Sequence, residues 1–332
     1  MRLLVTGGSG FLGRRVVAAA VARGDKVIGL ARSTRAAETL AGLGAAAARA
    51  DLDDPDGTRE AFAAAGAEAL LNLASLGFGH AGTIVGAARA AGLRRAVFVS
   101  TTAVTTTLNA PSKQVRLAAE ETIRASGLDW TIIRPTMIYG GPDDRNMCRL
   151  LALLRRSPVV PLPDGGRGLH QPVHVDDLAD VLLRAIGADI AVGRRYDVAG
   201  PRALPLREIV DEAAAALGRR VVCVPVPLRP TIRLAELAGR ARVSARGAPR
   251  GSSPGTAAPQ PGGAWPDAWS GSRAGPGAQP RPGDRGGRRW ISSEQIARLA
   301  EDKAFSIEAA TADLGFAPRS FAEGIRAQAV RP

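Results

Sequence analysis

The chain has 332 residues, of which 45% are hydrophobic and only two are cysteines, Cys148 and Cys223. This composition predicts one large α/β domain with a smaller partner domain, and it excludes a disulfide framework. The formal charge is +13. Much of the excess lies between residues 240 and 289, and no nucleic-acid-binding motif accompanies it, so we expect no nucleic-acid partner.

The chain begins with MRLLVTGG, a short apolar run that enters a glycine loop, which is unlike a secretory signal peptide. The sequence contains no run of about 18 uninterrupted apolar residues, so no membrane span is predicted. We therefore predict a cytoplasmic protein.

The first 135 residues alternate between short apolar strands and alanine-rich helices. The predicted strands are RLLVT, KVIGLA, ALLNLA, AVFVST and WTIIRP. Helices are predicted over Gly13–Arg23 and Gly82–Ala91, each followed by a glycine that is typical of a helix end. This alternation predicts a doubly wound parallel sheet of the Rossmann type over residues 1–140, to which residues 170–200 return.

After residue 140 the pattern loosens into short strands and helices, which predicts a smaller α+β lobe formed by residues 141–240 and 290–330. Helices are expected near Asn146–Arg155, Val175–Ile186, Leu206–Leu217 and Pro230–Gly239. Residues 241–289 differ from both regions, because 19 of these 49 residues are proline or glycine and no apolar period is present. We predict a disordered insert there, or a stretch read in a shifted frame.

The segment LLVTGGSGFLG places Gly7, Gly10 and Gly13 between the first strand and the first helix. Glycines at such a turn allow the backbone to approach a diphosphate closely, and the helix N-terminus then directs N–H groups towards the anion. The context of strand, glycine turn and helix predicts a dinucleotide-binding site.

The end of the second strand, IGLARSTR, carries no acidic residue that would hold a ribose 2′-hydroxyl. Arg32 and Arg35 are instead suited to a 2′-phosphate, which favours NADP, with NAD as the alternative. Asp51 follows the third strand and is expected at the adenine edge; its alternative role is a helix N-cap.

These motifs, together with STTAV, SK at 112–113, LDWTIIRPTMIYGGP and HVDDLA, resemble the extended or atypical short-chain dehydrogenase/reductases, the NAD(P)-dependent epimerase/dehydratase family. The resemblance implies a Rossmann domain with the substrate held by the C-terminal lobe, and subunits that pair into a homodimer. It also implies cofactor contacts from Thr6, Gly7, Gly10, Phe11, Leu12, Gly13, Arg32, Arg35, Asp51, Leu52, Ala74, Ser100, Lys113 and Pro135.

In that family a Tyr-x-x-x-Lys pair and a Ser or Thr carry out catalysis. The resemblance assigns the hydroxyl to Thr102 and the ribose-binding lysine to Lys113, one of only three lysines in the chain. The tyrosine position is Asn109, whose amide does not titrate in the physiological range. Tyr139 is the candidate replacement, either as a proton donor or as a residue that only lines the pocket.

His80 and His174 are candidate substrate contacts, and His174 with Asp176 is expected to position a strand–helix turn. No metal site is predicted, because Pro172 prevents His170 and His174 from sharing a helix face. Two functions remain open. One is an NAD(P)-dependent oxidoreductase or epimerase that moves hydride to or from a carbonyl or alcohol carbon, with a small-molecule substrate. The alternative is a non-catalytic NADP-binding redox sensor or assembly protein.

Overall fold

The computed structural model describes residues 1–107, 111–144, 146–227 and 301–329, which all belong to one compact unit. The predicted insert at 241–289, the predicted helix over Pro230–Gly239 and the Asn109 position lie outside the described residues.

Every secondary-structure element that follows is numbered in chain order. The strands are β1 (Arg2–Thr6), β2 (Lys26–Ala31), β3 (Ala46–Arg49), β4 (Ala69–Asn72), β5 (Arg95–Val99), β6 (Asp129–Pro135), β7 (Ile138–Tyr139), β8 (Val159–Pro163), β9 (Leu169–His170), β10 (Val173–His174), β11 (Arg194–Val198), β12 (Leu204–Pro205) and β13 (Val222–Val226). The helices are α1 (Phe11–Ala22), α2 (Thr34–Gly42), α3 (Pro55–Ala65), α4 (Ala81–Ala90), α5 (Pro111–Arg124), α6 (Met147–Arg156), α7 (Val175–Gly187), α8 (Leu206–Ala216), α9 (Glu308–Leu314) and α10 (Phe321–Ala329).

Seven parallel strands form the central sheet in the order β11-β6-β5-β4-β1-β2-β3. The chain leaves β1 towards β2 and β3 on one side and returns to β4 on the other, so the strand order reverses beside β1. In open sheets of this kind the crevice at the carboxyl ends of the strands is the usual ligand site. The arrangement confirms the predicted Rossmann-like α/β fold.

Local signals in the sequence set the helix boundaries. Asp54 caps α3 by accepting a hydrogen bond from the Gly57 amide at 3.1 Å, and Pro55 follows as the first helical residue. Gly66 ends the same helix with φ of +51°, a conformation that glycine adopts without strain. Because β1, β2 and β3 are parallel, the loops that follow them lie at one edge of the sheet.

Both faces of the sheet are covered, as continuous apolar strands require. One face packs against α1, α7 and α9, with Val16, Leu182 and Leu314 in its core. The other packs against α3, α4 and α5, with Phe62, Ile84 and Ile123 in its core.

A third apolar cluster lies beyond β6, where α6, α8 and α10 pack with β8. We call this third cluster, with α6, α8 and α10, the smaller lobe. Among the described residues, no helix is long and apolar enough to cross a bilayer.

Candidate functional site

The glycine turn after β1 is shaped so that only glycine fits at two of its positions. Gly7 has φ of +70°, and a Cβ placed on it would lie 2.8 Å from the amide nitrogen of Ala74. A Cβ on Gly13 would overlap the carbonyl oxygen of Gly7. The Gly10 amide donates to that same oxygen at 3.0 Å, which closes the turn. The backbone of α1 therefore packs directly on the turn.

At the N-terminus of α1, no side-chain acceptor occupies the backbone N–H groups that an anion would bind. Gly10 is its N-cap, no side chain caps the helix, and no acidic residue lies in the first turn. An anion suits such a helix end because the first N–H groups have no intrahelical partner. The Leu12 side chain is buried in the core and Phe11 packs partly against it, so this segment offers a ligand its backbone. These residues fit the diphosphate of a dinucleotide.

A buried polar network joins the ends of β1 and β4. The Thr6 hydroxyl donates to Asn72 Oδ1 at 2.6 Å, and the Asn72 amide donates to the Ala74 carbonyl at 3.2 Å. The Ala74 amide in turn faces the Thr6 hydroxyl at 3.4 Å. Thr6 therefore fixes the loop that borders the glycine turn. Asn72 was not predicted, although a polar residue at the end of the apolar run ALLN is a usable signal.

The adenine end of the predicted site carries charges of both signs. Arg32 is 62% exposed and its Nε lies 4.0 Å from Asp51 Oδ2; Arg35 is also exposed. The Asp51 carbonyl accepts from the Thr58 hydroxyl at 2.9 Å, while the N-cap of α3 is Asp54 and not Asp51. Leu52 packs partly against the α3–α5 core.

Beyond β5 and β6, the predicted cofactor contact Ser100 and the predicted catalytic residue Thr102 already have partners. The Ser100 hydroxyl donates to Glu120 Oε1 at 2.6 Å, and Glu120 also forms a buried ion pair with Arg134. The Thr102 hydroxyl donates to the Pro135 carbonyl at a long 3.3 Å. Glu120 and Arg134 thus tie α5 to β6, and their pairing was not predicted.

Lys113 contacts the loop that follows Thr102. Its Nζ donates to the Thr106 carbonyl at 2.6 Å. From the other side, Glu301 accepts hydrogen bonds from the Thr106 hydroxyl and from the Thr107 amide at 2.8 Å. Burial alone would raise the pKa of Glu301, but the hydrogen bonds from Thr106 and Thr107 lower it overall. Glu301 is a further residue that sequence reasoning missed, because it lies about 195 positions away.

Tyr139 is 1% exposed and belongs to the core of the smaller lobe. Its hydroxyl lies 3.5 Å from the carbonyls of Ser320 and Phe321, and a Cβ on Gly324 would overlap it. Burial, reinforced by the nearby Asp177, raises the pKa of Tyr139 far above its usual value. This placement argues against the proton-donor alternative, because the hydroxyl is enclosed and strongly disfavours ionisation.

His174 is also enclosed, next to Tyr139. Its ring meets that of Tyr139 edge-on with centroids 5.2 Å apart, and its Nδ1 accepts from the Asp176 amide at 3.3 Å as the N-cap of α7. Burial, with a smaller contribution from Arg319, lowers the pKa of His174. Its contacts match the predicted role in positioning the strand–helix turn.

His80 lies apart from these residues, at the start of α4. Its Nε2 lies 2.7 Å from Asp53 Oδ1, and this contact joins the loops after β3 and β4. Within the described part of the chain, no cluster of three or more His, Cys, Asp or Glu side chains has the arrangement of a metal site.

Comparison with known proteins places the chain in a family. The sequence profile of the NAD(P)H-binding family matches residues 7–189, more than half of the chain. The chain is 28% identical over 278 residues to a 2-alkyl-3-oxoalkanoate reductase of Stenotrophomonas maltophilia, covering 72% of this chain and 83% of that protein. It is 32% identical over 250 residues to a 2'-dehydrokanamycin reductase of Streptomyces kanamyceticus, covering 68% of this chain and 70% of that protein.

Among solved structures, a UDP-glucose 4-epimerase from Thermotoga maritima superposes with a TM-score of 0.67 at 15% identity, over 99% of this chain and 97% of that one. At that identity the likeness concerns the fold alone. Together with the profile match and the reductase relatives, it confirms the resemblance that the motifs indicated. The chain belongs to the NAD(P)H-binding family, and the two relatives named above are reductases.

Proposed function

We propose that this protein is an NADP-dependent carbonyl reductase that interconverts a ketone and an alcohol on a small molecule. The observation that carries the proposal is the cradle formed by Gly7, Gly13 and Ala74, where backbone meets backbone and a Cβ would intrude. Because two positions lack a side chain, a ligand can approach the backbone closely. Dinucleotide-binding turns use glycine in this way.

The bound nicotinamide supplies the hydride. The chain contributes the surroundings of the reacting carbonyl, and Thr102 is the hydroxyl best suited to orient it. The hydrogen bond from Thr102 to the Pro135 carbonyl is long at 3.3 Å, so exchanging it for a substrate oxygen costs little. With Asn109 at the usual tyrosine position and Tyr139 enclosed in the lobe, we assign delivery of the proton to water.

The preference for NADP rests on Arg32 and Arg35. Both guanidinium groups are exposed after β2, and the stretch from Val27 to Arg35 carries no carboxylate that would select a 2′-hydroxyl. Asp51 Oδ2 lies 4.0 Å from Arg32 Nε, which is beyond hydrogen-bond distance, and this exposed ion pair leaves the charge of Arg32 available to a phosphate.

The relatives favour reduction over epimerisation. Both reductases named above act, by their names, on molecules that carry an oxo group, one an oxoalkanoate and the other a dehydro sugar derivative. We infer that the substrate of this chain is also a ketone, and that the lobe formed by α6, α8 and α10 holds the rest of it.

The alternative function is a cofactor-binding protein without turnover. Two observations favour it: the tyrosine position is Asn109, and burial raises the pKa of Tyr139 while its hydroxyl faces the carbonyls of Ser320 and Phe321. Such a protein would bind NADPH and respond to its redox state.

An assay of NADPH oxidation separates the two functions. The absorbance of NADPH is monitored while the purified chain is given a panel of β-keto acids, β-keto esters and keto sugars. We expect turnover with at least one ketone, and a fall of about 10²-fold or more in kcat for Thr102→Ala. Thr122→Ala is the matched control, because Thr122 is exposed on α5 and its hydroxyl bonds only the Ala118 carbonyl within the helix. Tight NADPH binding without turnover on any ketone would establish the alternative.

A further inference from the structure

Residues 301–305, which we call the strap, lie beside β9 and precede α9. The amide of Lys303 donates to the Leu169 carbonyl at 2.7 Å, and the Leu169 amide donates to Asp302 Oδ1 at 2.9 Å. Both distances are those of well-formed hydrogen bonds. The strap is therefore fixed to β9 through both backbone groups of one residue.

Gln171 fixes the far end of the strap. It is 5% exposed; its Oε1 accepts from the Phe305 amide at 2.8 Å, and its Nε2 donates to the Gly200 carbonyl at 2.7 Å. A buried amide that satisfies a donor and an acceptor at once is fixed in orientation, because turning it over would bring like groups together. Phe305 is thus held beside the loop after β11.

The first residue of the strap reaches a different part of the molecule. The Glu301 carboxylate accepts from the Thr106 hydroxyl at 2.7 Å, from the Thr107 amide at 2.8 Å and from the Thr107 hydroxyl at 3.0 Å. Each of these groups is a donor, which suits an ionised carboxylate. The strap therefore links the loop after β5 to β9.

The loop after β5 carries Thr102, which the proposed function assigns to the substrate carbonyl. Residues Thr102–Thr105 form a single 3₁₀ turn, in which the Thr105 hydroxyl donates to the Thr102 carbonyl at 2.8 Å. The Thr106 amide closes the turn on the Ala103 carbonyl at 3.4 Å. Because the turn is short and bonded within itself, a shift of Thr106 is transmitted to Thr102.

The side chain of Thr102 is itself held weakly, since its hydrogen bond to the Pro135 carbonyl is long at 3.3 Å. The position of its hydroxyl therefore depends on what holds Thr106. Lys113 donates to the Thr106 carbonyl at 2.6 Å, and Glu301 accepts from the hydroxyl of the same residue. An ammonium has three donors, so the bond from Lys113 is compatible with the ribose contact that the family resemblance implies.

We propose that Glu301 is a positioning residue for the reduction: through Thr106 it holds the hydroxyl of Thr102 where it orients the carbonyl of the ketone. The strap then makes this orientation depend on β9 and on the buried Gln171. The inference rests on the proposed function and deepens it. A purely structural role of Glu301 would instead fasten the strap to the fold and affect stability alone.

Steady-state kinetics of the full-length protein tests the assignment, with NADPH and the ketone of the panel named above that is reduced fastest. We expect Glu301→Ala to lower kcat about tenfold, less than Thr102→Ala does, because the hydroxyl is displaced and not removed. The Kd of NADPH should change less than about twofold, since the interaction acts on the chemical step. Glu301→Gln keeps an acceptor oxygen at full reach, so its kcat should lie within about threefold of that of the unaltered protein.

The matched control is Glu308→Ala, because Glu308 is exposed in the first turn of α9. Its kcat should stay within about twofold of that of the unaltered protein. Thermal melting of each variant verifies folding. Glu301→Asp, which keeps the charge and loses the reach, serves if Glu301→Ala melts early.

The double variant Thr102→Ala/Glu301→Ala separates a positioning role from a general loss. If Glu301 acts through Thr102, it has nothing to position once the hydroxyl is gone. The kcat of the double variant should then lie within about twofold of that of Thr102→Ala alone. Independent effects would instead multiply to a fall of about 10³-fold.

An unchanged kcat in Glu301→Ala, a multiplied loss in the double variant, or a loss confined to NADPH affinity would overturn the assignment. If the unaltered protein reduces no ketone of the panel, the proposed function fails, and the inference fails with it. Reduction of a ketone with the same kcat in Glu301→Ala as in the unaltered protein removes only the role of Glu301.

Discussion

The two halves of the carboxyl edge of the sheet are built differently. Around β1 and β4 the site is made of backbone: Gly7, Gly13 and the Ala74 amide meet at distances that side chains would not allow. Around β5 and β6 it is made of side chains that already have partners: Ser100 with Glu120, Thr102 with Pro135 and Lys113 with Thr106. We propose that the first half binds the dinucleotide and that the second half determines the reaction.

This difference explains why binding and chemistry can vary separately in such a fold. A backbone cradle depends on a few glycines and tolerates changes elsewhere. A catalytic group depends on its protonation state and on the exact neighbours of one side chain. On the proposed function, an asparagine at the expected tyrosine position would change the chemistry without changing the glycine turn.

The largest effect is expected on the side-chain half. Glu120→Ala leaves Arg134 buried without its carboxylate, and we expect a loss of about 3–5 kcal/mol in the free energy of unfolding. Glu121→Ala is the matched control, because Glu121 forms only an exposed pair with Arg124 at 3.1 Å, worth less than about 1 kcal/mol. Chemical denaturation of both variants measures the contrast. Equal stabilities would show that the Glu120–Arg134 pair does not hold α5 to β6.

On the backbone half, Gly13→Ala forces a Cβ onto the Gly7 carbonyl, which neither backbone segment can avoid. We expect a loss of about 1–3 kcal/mol in stability and a loss of NADPH affinity of about tenfold or more. In Gly86→Ala, on α4, the new Cβ meets nothing within 4 Å, and the helix should gain about 0.5–1 kcal/mol. Calorimetric titration and thermal melting compare the two. Unchanged affinity in Gly13→Ala would mean that the turn is not the binding site.

The variant Arg32→Ala tests the proposed preference for NADP. We expect it to weaken NADPH binding by about 1.5–3 kcal/mol and to leave NADH binding nearly untouched, because only the 2′-phosphate requires the guanidinium. Arg94→Ala, which removes an exposed arginine that pairs with Asp129 at 3.5 Å, is the control for net charge. Parallel losses for both nucleotides would argue against a 2′-phosphate site at Arg32.

The pH dependence of the free energy of unfolding tests the burial of His174. Because burial lowers the folded pKa of His174 below the unfolded value of about 6.5, the unfolded chain takes up a proton first as the pH falls. Stability contributed by the neutral ring is present above that value and is lost below it, by at most about 1.4 kcal/mol per pH unit.

In His174→Asn, which keeps an N-cap acceptor for the Asp176 amide, melting between pH 7.5 and 5.5 should decline less steeply than in the unaltered protein. Parallel slopes in the two proteins would show that the His174 ring takes up a proton as readily in the folded state as in the unfolded state.

The smallest effect is expected for Tyr139→Phe. The hydroxyl makes only contacts of 3.5 Å to two carbonyls, so its removal should change stability by less than about 1 kcal/mol and leave NADPH oxidation unchanged. Turnover assays and melting curves measure both quantities. A fall in kcat by about 10²-fold would restore Tyr139 as the proton donor.

The sequence was sufficient to predict the elements that depend on local signals. The apolar runs of β1 and β2, the glycine turn and the helices α1 and α4 lie within one or two residues of their predicted bounds, because strand length, capping and glycine are local properties. The parallel pairing of the distant β11 with β6 was not predicted, because no local pattern encodes it.

The site was predicted less completely. The glycines could be recognised because their role depends on the backbone. The partners of Ser100, Lys113 and Tyr139 could not, since they lie on other elements: Glu120 on α5, Thr106 in a loop and the Ser320 carbonyl about 180 residues away. The Tyr139 contact joins residues far apart in the chain, and the other two join separate elements, so all three are set by packing and are not encoded by a local pattern.

The central claim is that the turn between β1 and α1 binds the diphosphate of a nicotinamide dinucleotide. Isothermal titration of the purified full-length chain with NADPH, NADP, NADH and NAD tests it most directly. We expect one nucleotide per chain, tighter binding of NADPH than of NADH, and displacement of NADPH by ADP-ribose 2′-phosphate. Absence of binding heat with all four nucleotides, together with an unchanged melting temperature in their presence, would contradict the account.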